Sequence, residues 1–95
     1  MNYITISVKI KNDTGEEVIG TIVVRDGFSL VTFTDPTLAR QIYEYDLKEG
    51  KDVAFNSKLN AYIQKYEGMK RKEIVKILRA EIEQSGGKIT NETEN

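Results

Sequence analysis

Lys72, Lys76 and Arg79 recur at spacings of four and three, which sets them on one face of a helix with 3.6 residues per turn. With Lys70 and Arg71 before them they form a basic stripe of the kind that contacts phosphates. Residues 58–79 hold seven basic side chains against two acidic ones, in a chain of 95 residues whose formal net charge is −1. Like-charge neighbours at i,i+4 oppose an isolated helix, so the stripe suggests a use: a phosphate backbone, an acidic protein surface, or simply a solvated helix face. Other chemistry is sparse. Zero His and zero Cys remove imidazole acid–base catalysis, thiolate nucleophiles, disulfides and the usual zinc sites. Asp13, Glu16 and Glu17 lack the alternating oxygen ligands and distal Glu of a calcium loop. Gly15, Gly20 and Gly27 do not open a helix after a strand, so they make no phosphate cradle. The expectation is a protein that is not an enzyme, with no cofactor, no metal and no small-molecule substrate.

The segment Asn60 to Arg79, read as two helices about Gly68, resembles the helix-turn-helix unit of DNA-binding proteins. Gly68 stands where the turn glycine belongs, Met69 follows it, and Ile74 and Ile77 take packing positions of the second helix. Gln64 and Glu67 depart from the small and apolar residues of that pattern. The resemblance implies Lys70, Arg71, Lys72, Lys76 and Arg79 at or near DNA. The rings of Tyr43, Tyr45, Phe55, Tyr62 and Tyr66 could stack on bases, although spacing makes Tyr62 and Tyr66 core residues first.

These residues must be held by a single small core. Tyr3 to Lys11 alternates, with Ile4, Ile6, Val8 and Ile10 on one side, and reads as a half-buried strand. Asn12-Asp13-Thr14-Gly15 turns the chain into a second strand, Glu17 to Arg25. Asp26-Gly27 has the signature of a two-residue hairpin turn leading to a third, Phe28 to Thr34. That turn sets Val23 against Leu30, Ile22 against Val31, and Gly20 beneath the ring of Phe33. Both faces of this hairpin are therefore apolar. Val18, Ile22, Val24, Val31 and Phe33 must meet helices, while Ile19, Val23, Phe28 and Leu30 need a cover from the chain's own later segments, a second copy, or a partner.

Asp35-Pro36 predicts a capped helix over 36–45, with Leu38, Ile42 and Tyr45 inward and a short strand at 52–55, although Tyr43, Tyr45 and Leu47 also alternate as a hairpin strand would. Asn56 or Ser57 caps a further helix carrying Leu59, Tyr62, Ile63 and Tyr66 until Gly68, and a last helix covers 70–84. The expected fold is thus α+β: a three-stranded antiparallel meander, a short helix and a C-terminal helical hairpin over 1–84. Residues 85–95 hold one large apolar side chain, Ile89, and read as a flexible tail.

No apolar run approaches the ~20 residues that span a bilayer. Met1 to Thr5 shows neither a cationic leader nor a continuous apolar region, so the cytoplasm is the expected compartment. Richness in Lys, Ile, Asn and Glu fits a low-GC genome or a virus of such a host. The functional expectation is a small binding or regulatory module, inhibitor-like or carried by a mobile element. It would act on a protein partner or its own twin through Ile19, Val23, Phe28 and Leu30; the alternative is nucleic-acid binding through the basic helix.

Overall fold

The computed structural model describes residues 2–95. Eight elements follow one another: β1 Ile4–Lys11, β2 Glu17–Arg25, β3 Phe28–Phe33, α1 Pro36–Lys48, β4 Val53–Asn56, β5 Ala61–Lys65, α2 Arg71–Gln84 and β6 Lys88–Glu94. The six strands form one antiparallel sheet in the order β4-β5-β3-β2-β1-β6. Both helices lie on the same face, α1 on β3, β4 and β5, and α2 on β2, β3 and β6.

The meander forms as its alternation requires. Ile4, Ile6 and Val8, Val18, Ile22 and Val24, and Val31 and Phe33 all point to the helical side and are buried. The pairs Ile22–Val31, Val23–Leu30 and Gly20–Phe33 stand opposite one another as the Asp26-Gly27 turn dictates. Asp35 caps α1, its side chain accepting the Thr37 backbone N–H at 2.9 Å, and Pro36 takes the first helical position. The helix closes at Gly50, whose positive φ lets its N–H reach the Leu47 carbonyl while the Lys51 N–H reaches that of Asp46.

Among the described residues no helical hairpin is present. The segment read as its first helix is β5, which inserts between β4 and β3, so the fold is a six-stranded sheet with two helices and the helix-turn-helix resemblance falls with it. Asn56 does receive backbone N–H groups on its side-chain oxygen, from Lys58 and Leu59, but it closes a hairpin turn instead of opening a helix. Asn60 completes that turn with φ of 50°. The same residues that align at i, i+3, i+4 and i+7 also satisfy a period of two. Pairing with the otherwise open edge of β3 decides between them, turning Tyr62 and Gln64 to the core and Ile63 away.

The residues read as a tail, 85–95, are likewise corrected. β6 pairs along the outer edge of β1 from Lys9 to Ile4, with one irregularity between Ser7 and Val8. Its order comes from backbone hydrogen bonds offered by a strand edge, a source that side-chain hydropathy does not reveal.

Candidate functional site

Three surfaces hold the residues that the sequence singles out, or bring together ones that it does not.

The first is the sheet face opposite the helices. Strand register lines up Thr93, Thr5, Val23, Leu30, Ile63 and Ala54 in one unbroken row across all six strands. Beside it, Arg25 stands between Tyr3 and Phe28, its guanidinium carbon 5.8 Å and 6.0 Å from the two ring centroids, with Lys65 paired to Phe28. On the other side Ser7, Thr21 and Thr32 make a small polar row, and beyond it Ile19, 55% exposed, stands opposite Lys9. Among the described residues no helix crosses this face, and Val23, Phe28, Leu30 and Ile63 are only half-buried. All four residues of the expected interface, Ile19, Val23, Phe28 and Leu30, therefore share one open surface. Ile63 belongs with them, since β5 turns it to this face, where a helical reading of its segment hides it. The strands contribute Lys9, Lys11, Arg25, Lys65 and Lys88 to this side against Glu17, which lies 3.8 Å from Lys9. A shallow recess at its corner runs between Phe28, Ile63 and Lys65 on one hand and Asp52 and Glu67 on the other.

The second surface is the basic stripe. α2 carries it as expected, but carboxylates remote in sequence lie against it. Asp26 stands 3.2 Å from Arg71 and 4.0 Å from Lys70, Glu94 lies 3.9 Å from Lys72 and 4.0 Å from Arg71, and Arg79 bonds Glu92. Of the five cations, Lys76 alone has no such partner among the described residues. Exposed pairs of this kind add little to stability, but they remove much of the local positive field that would draw a polyanion. The backbone bond from Arg71 to Asp26, opposed by slight desolvation and helped by the nearby cations, holds the Asp26 carboxyl below its ordinary range.

The third lies on the helical side, where α1 and α2 stand apart over the sheet and leave a cleft of about 690 Å³. Its floor and walls are apolar, from Ile22, Val31, Phe33, Leu38, Ile42 and Leu78. At one end sits a polar network. Lys51 bridges Asp46 on α1, at 3.2 Å, and Glu81 on α2, at 2.9 Å. Gln64 donates to the other Asp46 oxygen at 2.7 Å and accepts from the Tyr66 hydroxyl. Burial pushes the Asp46 carboxyl up, against the opposing pull of the Lys51 ammonium. Burial works against the Lys51 ammonium too, but its bond to Glu81 and the charges of Glu81 and Asp46 outweigh this and raise its pKa. Tyr62 and Tyr66 are both held well above the ordinary phenol range, by burial first and then by the neighbouring acids.

Asp46, outside the expected helix 36–45, is 3% exposed. The signal was available: Leu38, Ile42 and Asp46 follow one another at i, i+4 and i+8, so continuing the helix past 45 turns Asp46 inward and leaves Tyr45, 62% exposed, outside. The turn at Gly50 then brings Lys51 back over it.

Comparison with protein-family models, with curated proteins and with solved structures gives no match to this chain. No helix among the described residues is long and apolar enough to cross a membrane.

Proposed function

We propose that the chain is a small non-enzymatic regulatory module of the cytoplasm that acts by docking its open sheet face on a partner protein. The single observation that carries this reading is the row Val23, Leu30, Ile63 and Ala54, with Phe28 beside it and Ile19 beyond the threonines, on a face that no other element covers among the described residues. A flat apolar strip of this kind is uncommon on a monomer without a use, and the chain brings neither His nor Cys to perform chemistry. The charge around the strip selects the partner. Five strand cations against Glu17, with Asp52 and Glu67 at one corner, leave the face cationic on balance, which disfavours stacking two copies face to face and favours an apolar ridge with an acidic rim. Phe28 and the adjoining recess supply the aromatic anchor and pocket that dominate such interfaces.

The test is capture of a binding protein by the wild-type chain, by Leu30→Asp and by Lys76→Glu, with thermal melts and light scattering on each. The expected result is a monomer whose capture is lost in Leu30→Asp and kept in Lys76→Glu. Capture that survives Leu30→Asp in a folded protein would overturn the reading. The alternative, nucleic acid on Lys70, Arg71, Lys72, Lys76 and Arg79, predicts duplex binding with a log–log salt slope of about −3 to −4.5 for three to five phosphate contacts. The carboxylates against four of those five cations favour the open face instead.

A further inference from the structure

Protein interiors pack as densely as organic crystals, yet α1 and α2 leave between them an opening of about 690 Å³ over buried sheet residues. That volume is in the range of pockets that hold small ligands. Its chemistry is specific at both ends. The body of the cleft offers Ile22, Val31, Leu38 and Leu78, which make no hydrogen bonds through their side chains. The polar end holds Asp46, Glu49 and Glu81 against Lys51, two carboxylates in excess of cations. The fold already places an alkylammonium group there, since the Lys51 Nζ sits between Asp46 and Glu81 at 3.2 Å and 2.9 Å. The Glu81 side chain, 39% exposed, and the exposed Glu49, at the C-cap just past α1, remain open to a second one.

From this pairing of an apolar trough with an acidic mouth, we propose that the cleft is a binding site for a small lipophilic amine. The hydrocarbon of the ligand lies between α1 and α2 against the half-buried Ile42, above the buried Ile22 and Val31, and its ammonium meets Glu81 and Glu49 beside Lys51. The site lies on the opposite side of the sheet from the docking surface and does not depend on it.

The experiment titrates the full chain at neutral pH with n-octylamine, n-octanol and n-octanoate, followed by backbone amide NMR shifts. Octylamine should saturate, move resonances of α1, α2, Ile22 and Val31, and bind at least about ten-fold more tightly than octanoate, as expected when one charge-assisted contact is replaced by repulsion. Octanol should fall between them. Glu81→Gln should weaken octylamine about five- to ten-fold and leave octanol unchanged, and Ile42→Trp should block all three by filling the trough. Should Ile42→Trp fail to fold, Glu81→Gln with the three ligands still decides. Absence of saturation, shifts centred on Val23 and Leu30, or octanoate binding as well as octylamine would each overturn the proposal.

Discussion

The carboxylate of Asp26, in the turn between β2 and β3, accepts the backbone N–H of Arg71 at 2.9 Å, so a turn on one side of the molecule caps a helix that begins 45 residues later. Lys70, at the N-cap position of α2, makes no capping bond of its own. Two further backbone bonds join the same loops, from Gly27 N to Met69 O at 2.9 Å and from Tyr66 N to Gly27 O at 2.7 Å. An anion at a helix N-terminus also meets the positive end of its dipole, which here must offset three successive cations, Lys70, Arg71 and Lys72. Asp26→Ala should therefore lower Tm at neutral pH, and Asp26→Asn should lower it less. Because the folded state depresses the Asp26 pKa, its contribution is present above the ordinary value of 3.8 and is lost as pH falls through the depressed one. The melts of wild type and Asp26→Ala should accordingly converge as pH is lowered through the acid range; a difference that does not shrink with acidification would show that the carboxylate is not the cause.

Gly20 lies under Phe33, and a Cβ built on it would meet the ring at 2.5 Å and 2.6 Å. Both positions face the core, where an added methyl has nowhere to go. Gly20→Ala should cost about 1–3 kcal/mol in urea unfolding, through overpacking. Combining it with Phe33→Leu should recover part of that loss, with a coupling above about 0.5 kcal/mol in a double-mutant cycle. Strictly additive losses would mean that the ring moves aside at no cost.

The meander was legible because its signals are local. Alternation in β1, the Asp26-Gly27 turn and the Asp35-Pro36 cap each act within a few residues, and each determines a register or a boundary without help from the rest of the chain. β5 and β6 were not legible for two different reasons. Tyr62, Ile63 and Tyr66 fit helical and extended periods equally, and the tie is broken by a strand edge, that of β3, more than thirty residues away. In β6, Thr90, Asn91 and Thr93 carry no hydropathy signal at all, and their pairing is chosen by the backbone of β1. The sites depend on the same two strands: β5 brings Ile63 to the open face and Gln64 to the polar network beside the cleft, and β6 brings Glu92 and Glu94 to the basic stripe.

Ending the chain after Gly87 tests the status of β6 directly. Its removal would strip the outer edge of β1, expose Ile4, Ile6 and Val8 along one flank, and leave Arg71 and Arg79 without Glu94 and Glu92. The truncated chain should melt at lower temperature, with a smaller urea m-value because less surface is buried on folding. It should also associate as concentration rises, since a bare edge strand pairs with other strands. A flexible segment would instead leave both Tm and m-value where they are.

The Asp46–Gln64 bond is the point at which the cleft and the core share one network. Gln64 is 1% exposed, and its amide satisfies one Asp46 oxygen while its carbonyl receives the Tyr66 hydroxyl. Gln64→Leu keeps the volume but removes the donor to one oxygen of the buried Asp46 and the acceptor of the half-buried Tyr66 hydroxyl, and should cost about 1–3 kcal/mol in chemical unfolding. The pH dependence separates this cost from ordinary packing loss. Burial raises the Asp46 pKa in the folded state, so folding favours its protonated form. That contribution is complete below the ordinary value of 3.8 and is lost as pH rises through the raised value, the reverse of Asp26. With its Gln64 donor gone, the Asp46 carboxylate is less well compensated and its pKa rises further. Gln64→Leu should thus be closest to wild type in mild acid and fall behind as pH approaches neutrality, whereas Asp46→Asn should show no such slope. Equal losses for Gln64→Leu at pH 4 and pH 7 would mean that the amide fills space and does not serve the carboxylate.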